Sequence, residues 1–254
     1  MRLQALPALR DNYIWTLSRD GADAIVVDPG DAAPVLAAAE AGLQPAAILL
    51  THHHPDHVGG TAALLARWPA LPVFAPEDER ITVAAARVGQ GDAVEVAGWR
   101  FTVLSVPGHT TSHVAYVGHG VVFSGDTLFS LGCGRLFEGT PAQMADSLAR
   151  LAALPDDTLV CCGHEYTLSN AAFAHAVDPD NAALRQRTEE ARAMRDEGQP
   201  SVPSTMASER AANPFLRAGA PAVRAAVATR LGRAPTDDVE VFAELRRWKD
   251  GFAA

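Results

Sequence analysis

The sequence is poor in cysteine and in long apolar runs, and each shortage excludes a class of protein. Three cysteines among 254 residues, two of them adjacent, form neither a disulfide framework nor a CxxC zinc motif. No window approaches the roughly 20 consecutive apolar residues that a membrane-spanning helix requires. We therefore expect a protein without a membrane anchor, in which the cysteines are small buried side chains.

Positive charge is also scarce, because the formal net charge is −9 and Lys249 is the single lysine. This balance argues against nonspecific nucleic-acid binding, which depends on lysine and arginine. The charge is uneven: residues 1–180 hold 9 basic and 20 acidic side chains, a net of −11, and residues 181–254 hold 12 and 10, a net of +2. Polar residues near the start interrupt any signal-peptide core, so we predict a cytoplasmic protein.

Short β-branched runs alternate with alanine-rich stretches over the first two thirds of the chain, which predicts an α/β fold with helices on the faces of a sheet. The predicted strands are 24–27, 47–50, 101–104, 121–123 and 159–162, and the predicted helices are 32–41, 60–68 and 141–154 with Thr140 as the N-cap. Strand signals stop at about Tyr166, and helices are predicted at 167–177, 180–198, 220–231 and 236–252. We expect a main domain at 1–165 and a small all-helical domain at 166–254.

Polar clusters follow the apolar runs where strands are predicted to end, which is where α/β sheets place their chemistry. In the first cluster His52 and His54 can point the same way while Asp56 and His57 diverge, so one loop can serve two neighbouring ions. His53 is expected to face away, as a loop or surface residue. Imidazole and carboxylate ligands suit zinc, iron or manganese. The candidate ligands are His52, His54, Asp56, His57, His109, Asp126 and His164.

The HxHxDH run with these later ligands resembles the metallo-β-lactamase superfamily, whose fold is a four-layer αββα sandwich. The resemblance covers about residues 1–165 and implies two divalent metal ions per chain, with zinc preferred over iron or manganese. It implies one ion held by His52, His54 and His109, a second held by Asp56, His57 and His164, and Asp126 with a nucleophilic hydroxide bridging them. Asp56 and Asp126 would be the catalytic side chains. Asp28 and His113 are candidates for hydrogen bonds to the ligands.

Three further segments resemble glyoxalase II, the hydroxyacylglutathione hydrolase family. They are Asp11–Trp15, the run from Gly125 to Thr140, and Gly163–Thr167 leading into the helical end of the chain. The resemblance implies that the glutathione part of the substrate is held by Arg135, Phe137, Tyr166, Arg246 and Lys249. Phe137 stands where some members have tyrosine, so apolar packing is its expected part. On a helical wheel Lys249 and Arg246 flank the apolar face of the last helix.

The resemblance implies a binuclear-metal thioesterase that converts S-(2-hydroxyacyl)glutathione, chiefly S-D-lactoylglutathione, to D-lactate and glutathione in methylglyoxal detoxification. A thiolate leaving group needs no strong general acid, because a cysteine thiol has a pKa of about 8.5. We predict a monomer. The alternatives are a mononuclear-iron persulfide dioxygenase and a lactonase of the same fold. An RNA-processing nuclease is a third reading, and the acidic balance argues against it.

Overall fold

A computed structural model of the chain describes residues 1–19 and 23–252. The chain divides into two compact units. The first comprises Met1–Ser105, Ser112–Gly125 and Gly163–Glu165, and the second comprises Val106–Thr111, Asp126–Cys162 and Tyr166–Ala254. The division into domains at 1–165 and 166–254 stays a prediction.

The first unit contains a six-stranded mixed sheet. Its strands, which lie in chain order across the sheet, are β1 (Arg2–Ala8), β2 (Asn12–Ser18), β3 (Ala24–Val27), β4 (Pro45–Leu49), β5 (Val73–Pro76) and β6 (Ala86–Val88). Strands β1 to β3 are antiparallel and β3 to β6 are parallel. The continuous apolar run of β3 is fully buried, as expected for a strand covered on both faces.

A second, antiparallel sheet packs against the first within the same unit. The strands that this unit contributes to the sheet are β7 (Ala93–Val96), β8 (Trp99–Ser105), β9 (Val114–Gly118) and β10 (Val121–Gly125), again in chain order. The hydroxyl of Tyr116 on β9 donates to the Leu50 carbonyl at 2.9 Å. Because Leu50 follows β4 of the first sheet, this buried bond joins the facing sheets.

Helices cover the other face of the first sheet. They are α1 (Ala33–Glu40), α2 (Pro55–Val58) and α3 (Thr61–Arg67). Val35 of α1 and Leu64 of α3 are both 0% exposed and pack with Ile48 and Leu50 in one apolar cluster. The first unit therefore has a helix layer and two sheet layers around an apolar core.

The second unit is mainly helical. Its helices are α4 (Pro141–Ala152), α5 (Thr167–Val177), α6 (Ala182–Asp196), α7 (Met206–Ala212), α8 (Pro221–Leu231) and α9 (Asp238–Asp250), with a 3₁₀ helix at Pro214–Leu216. Its strands form two short antiparallel pairs: β11 (Leu128–Phe129) with β12 (Gly132–Cys133), and β13 (Leu159–Cys162) with β14 (Ser204–Thr205). No helix among the described residues is long and apolar enough to cross a membrane.

Most of the predicted elements are confirmed, including α5 over Thr167–Val177. All three cysteines are buried and unbridged, as expected. The expectation that strands stop at about Tyr166 is wrong, because Ser204–Thr205 pairs with β13. A two-residue strand has too short a pattern to be read from sequence, and the seven-residue helix α7 beside it was missed for the same reason.

The predicted start of α4 is confirmed in atomic detail. Thr140 Oγ1 accepts a hydrogen bond from the Gln143 amide at 3.2 Å, and Gln143 Oε1 accepts one from the Thr140 amide at 2.9 Å. This reciprocal pair is a capping box, and Pro141 occupies the first helical turn, where its missing N–H is not needed. Met144 and Leu148 then point into the core.

The cap predicts a measurable loss of stability. Replacing Thr140 with alanine should lower the free energy of unfolding by about 1 kcal/mol, because the Gln143 amide loses its acceptor. Urea denaturation followed by far-UV circular dichroism measures this change. Thr140→Ser keeps the hydroxyl and is the matched control, which should unfold close to the wild-type midpoint. Equal midpoints for Thr140→Ala and the wild type would contradict the capping role.

Candidate metal centre

The loop that carries the first candidate ligands runs from the end of β4 into the short helix α2. Pro55 begins that helix, and the preceding His54 is extended. Gly30 lies against this loop so closely that a Cβ atom there would be 1.8 Å from the Asp56 carbonyl oxygen. Only glycine permits this approach of two backbones, which seats the ligand loop on the segment after β3.

The carboxylate of Asp28, on that segment, organises the ligand loop. It is 4% exposed and accepts from the Thr51 amide and the Thr51 hydroxyl, both at 2.7 Å. The same carboxylate lies 3.0 Å from His57 Nδ1. Since a carboxylate can only accept, Nδ1 of His57 carries the proton and Nε2 is left with its lone pair. The expected hydrogen bond between Asp28 and a candidate ligand is therefore present, with His57 as the donor.

His52 is oriented indirectly by the same carboxylate. Because the Thr51 hydroxyl donates to Asp28, its oxygen can accept from His52 Nδ1, which lies 3.0 Å away. His52 Nε2 then faces His54 Nδ1 at 3.0 Å. The His113 ring, predicted to support the ligands, stacks on the His52 ring with centroids 4.6 Å apart.

Asp56, His57 and His164 form a cluster whose ligand atoms lie within 4.8 Å of one another. Nε2 of His57 and Nε2 of His164 are 3.3 Å apart. Two nitrogen ligands of a tetrahedral zinc ion, with bonds of about 2.0–2.1 Å, lie roughly 3.3–3.4 Å apart. The described residues therefore fit a divalent metal ion, with imidazoles whose other nitrogens are already engaged.

The segment Asp11–Tyr13 orients this cluster, a role that the sequence did not reveal. Asp11 Oδ1 lies 2.8 Å from His164 Nδ1, and Asn12 Nδ2 donates to Asp56 Oδ2 at 3.0 Å. The Tyr13 hydroxyl donates to Glu165, the neighbour of His164, at 2.9 Å. The segment resembles the family in sequence, but its partners lie far along the chain.

The second unit holds the other two predicted ligands. Nε2 of His109 lies 3.4 Å from Asp126 Oδ2. Nδ1 of His109 lies 2.9 Å from the Arg135 carbonyl oxygen, which can only accept. Nε2 of His109 is thus the nitrogen available to a metal ion. The seven predicted ligands therefore fall into a group of five in the first unit and a pair in the second.

The predicted cations gather in the second unit around one carboxylate. Asp250 Oδ1 lies 3.4 Å from Arg135 Nε and 3.0 Å from Arg246 Nη2. Arg246 is only 5% exposed and also donates to the Cys133 carbonyl at 2.8 Å. Burial, together with the nearby Arg246 and Arg135 charges, lowers the pKa of Lys249 to about 8. The three cations therefore outnumber the single carboxylate, and this part of the second unit carries excess positive charge.

The two aromatic residues that were predicted to contact the substrate, Phe137 and Tyr166, lie in the same unit. The Phe137 side chain is 63% exposed, and its ring packs edge-on against His109 with centroids 5.2 Å apart. The Tyr166 ring packs against Phe129 of β11 in the same manner, at 5.3 Å. Phe137 therefore presents an exposed apolar surface beside a candidate ligand.

The prediction for His53 is partly wrong. His53 lies in the loop as expected, but its side chain is only 11% exposed and its Nδ1 is 3.4 Å from Asp78 Oδ2. Hydrogen bonds from Arg80 hold the pKa of Asp78 well below its usual range, and Ser112 adds another at 2.6 Å. His53 thus faces a buried charge instead of solvent. No local sequence pattern around His53 indicates that Asp78 is its partner.

Comparison with known proteins defines the class first. The metallo-β-lactamase superfamily model matches residues 13–164. A crystal structure of ETHE1 from Myxococcus xanthus is similar, with a TM-score of 0.66, 25% identity and coverage of 99% of this chain and 91% of that one. A structure of TTHA1623 in a di-iron-bound form covers 65% of this chain and 92% of that one, at 32% identity and a TM-score of 0.54. The fold is the αββα sandwich of that superfamily.

The particular family follows from the rest of the chain. The model of the hydroxyacylglutathione hydrolase C-terminus matches residues 165–252. A hydroxyacylglutathione hydrolase of Xanthomonas campestris pv. campestris (strain B100) is 61% identical over 255 residues, covering 100% of both chains. This chain belongs to the hydroxyacylglutathione hydrolase family, known as glyoxalase II, and the predicted family and fold are confirmed.

The orienting role of Asp11 predicts a change in metal affinity. Asp11→Ala should weaken zinc binding on the order of 10- to 100-fold, because His164 loses the acceptor that holds its ring and its tautomer. Competition with a chromogenic chelator measures the affinity. Asp11→Asn keeps an acceptor oxygen at the same position, so it should bind zinc more tightly than Asp11→Ala. Identical affinities for Asp11→Ala and the wild type would refute the role.

Proposed function

We propose that this chain is a metal-dependent thioesterase that hydrolyses S-(2-hydroxyacyl)glutathione, chiefly S-D-lactoylglutathione, to D-lactate and glutathione. The observation that carries the proposal is the full-length match at 61% identity to a hydroxyacylglutathione hydrolase. The oriented imidazoles of the candidate metal centre support it independently. This reaction would place the protein in methylglyoxal detoxification.

Two divalent ions are proposed, with zinc preferred over iron or manganese. The family pattern assigns one ion to His52, His54 and His109, a second to Asp56, His57 and His164, and Asp126 to both. The di-iron form of TTHA1623, 32% identical to this chain, supports the count. When bound, such ions polarise a carbonyl group and bring the pKa of water to about 7.

The residues around the metal positions are proposed to orient the ligands and to handle protons. Asp28, Asp11 and the Arg135 carbonyl hold one nitrogen of His57, His164 and His109 respectively. Asp56 is held by Asn12 and its side chain is 38% exposed, so it can reach a substrate and take up a proton. Asp56 and Asp126 are the proposed catalytic side chains.

The proposed reaction needs no separate general acid, because its leaving group is a thiolate. Glutathione departs as a thiolate, and a cysteine thiol has a pKa of about 8.5, so the sulfur can leave without first receiving a proton. The chain must therefore bind and orient the thioester more than protonate it. The cations of the second unit are proposed to bind the glutathione part of the thioester.

The substrate-binding residues are proposed to be Arg135, Phe137, Tyr166, Arg246 and Lys249. A glutathione thioester carries two carboxylates and one ammonium group, and the protein as a whole is acidic at −9. Local cations are needed to hold such a ligand, and arginine and lysine do so as a bidentate fork and a point charge. The exposed Arg135 and the partly buried Lys249 are the accessible members of the group, while the buried Arg246 pairs with Asp250.

Several further assignments are proposed with the function. The helical segment 166–254 would serve as the substrate-binding domain beside a catalytic domain at 1–165. The protein would act as a cytoplasmic monomer. A mononuclear-iron persulfide dioxygenase or a lactonase is the alternative, and the full-length family match favours the thioesterase over both.

One assay tests the activity directly. Purified protein mixed with S-D-lactoylglutathione should release free thiol, and a chelator should abolish the release because the metal ions are removed. Thiol titration measures the rate, and metal analysis should find about two ions per chain. Thiol release that a chelator does not affect, or oxygen uptake with glutathione persulfide in place of thiol release, would overturn the proposal.

The lowered pKa of Lys249 predicts a pH dependence. Lys249 is charged below about pH 8 and becomes neutral above it. Because the proposed contact is to a carboxylate, kcat/KM should fall several-fold as the pH rises from about 7 to about 9, mainly through KM.

The control for this profile is Lys249→Arg, which stays charged throughout that range. Its kcat/KM should lack the alkaline fall attributed to Lys249. An alkaline limb that is the same in Lys249→Arg and the wild type would show that another group titrates there.

A further inference from the structure

Buried polar side chains hold the hairpin of β11 and β12, which spans Leu128–Cys133. Its strands have two residues each, so the ladder between them contributes little. Instead, side chains from other elements of the same unit bond its backbone. Three of these contacts come from different helices: Asn170 of α5 donates to the Ser130 carbonyl at 3.0 Å, Glu209 of α7 accepts from the Leu131 amide at 2.8 Å, and Arg246 of α9 donates to the Cys133 carbonyl at 2.8 Å.

The turn of this hairpin needs such support. Leu131 has a φ of 59°, in the left-handed region that a residue with a branched, bulky side chain rarely adopts. It is nevertheless 0% exposed, in a cluster with Ala171 and Leu184. Because the conformation is unfavourable in isolation, the surrounding contacts must determine it.

Glu209 is the centre of the support. It is 0% exposed, and its Oε2 accepts from both the Leu131 amide and Asn213 Nδ2, the second at 3.1 Å. Asn213 in turn donates to the carbonyls of Phe129 and Gly132 at 3.1 Å and 3.0 Å. The pair therefore bonds the backbone of three hairpin residues, Phe129, Leu131 and Gly132. A buried carboxylate that accepts N–H groups makes strong bonds.

The hairpin leads directly to the site. The next residue, Gly134, lies so close to Asp126 that a Cβ atom would be 1.9 Å from the Asp126 carbonyl oxygen. The carbonyl of Arg135 then receives His109 Nδ1 at 2.9 Å. Displacing the hairpin would therefore move the acceptor that orients one candidate ligand and the side chain of a candidate substrate contact.

We infer that Glu209 is a positioning residue, which, through the Leu131 amide and Asn213, sets the hairpin that aligns His109 and Arg135. Glu209 lies on α7 and acts only through these bonds. The inference rests on the proposed function for its kinetic consequence, but its structural consequence can be measured on metal-free protein without any substrate.

The experiment compares Glu209→Gln with Glu209→Leu. Glutamine keeps an acceptor for the Leu131 amide, whereas leucine keeps the volume and removes the acceptor. Hydrogen exchange followed by mass spectrometry on metal-free protein should show exchange at least tenfold faster over residues 128–136 in Glu209→Leu, and close to wild type in Glu209→Gln. Zinc affinity should fall on the order of tenfold in Glu209→Leu alone, as when a supporting partner of a ligand is lost.

A matched control comes from Glu244, another buried carboxylate on a helix of the same unit, which pairs with Arg230 at 2.9 Å and bonds no part of the hairpin. Glu244→Leu should lower stability without selective exchange at 128–136. Steady-state kinetics on S-D-lactoylglutathione should then show a raised KM for Glu209→Leu that Glu209→Gln restores. If no variant hydrolyses the thioester, the proposed function fails while the exchange and zinc results still decide the inference.

Two results would overturn the inference. One is wild-type exchange over 128–136 in Glu209→Leu, and the other is an equal effect on that segment from Glu244→Leu. Should Glu209→Leu fail to fold, the wild type decides the matter. Its Leu131 amide must exchange as slowly as the amides of α7, and exchange as fast as that of exposed loops would contradict the bond to Glu209.

Discussion

The candidate metal centre depends on the hydrogen bonds that the buried carboxylate of Asp28 accepts. Burial removes water from this carboxylate, which is unfavourable. Three donors offset the desolvation penalty: the Thr51 amide, the Thr51 hydroxyl and His57 Nδ1. Since a carboxylate has no proton to give, it dictates the direction of every bond around it. The tautomer of His57 follows at once, and that of His52 follows through the Thr51 hydroxyl.

The same device recurs wherever a ligand is oriented. Asp11 holds His164, and the carbonyl of Arg135 holds His109, so each ring keeps Nε2 available to a metal ion. These acceptors come from the loop after β1 and from the segment after β12, both remote in sequence from the histidines they serve. Orientation is therefore a property of the packed units, which stabilise a geometry that the ligand loop alone would not keep.

The cations of the second unit pose the opposite electrostatic problem. Arg135, Arg246 and Lys249 lie near one another, and the crowding of like charge with burial lowers the pKa of Lys249. Asp250 bonds both arginines and offsets part of the repulsion. The arrangement leaves a surplus of positive charge in an acidic protein, which suits a ligand that carries carboxylates.

The sequence by itself determined the ligand types, most helices, five of the strands and the family, because the HxHxDH spacing, apolar periodicity and helix caps are local patterns. The short or irregular strands, such as β11, β12 and β14, have too few residues to show a pattern. Only the tertiary structure decided how the ligands are held. The partners of His164 and Leu131 lie 153 and 78 residues away, and a backbone carbonyl such as that of Arg135 carries no side-chain signature. His53 was misjudged for the same reason, since its buried partner Asp78 becomes a neighbour only when the chain folds.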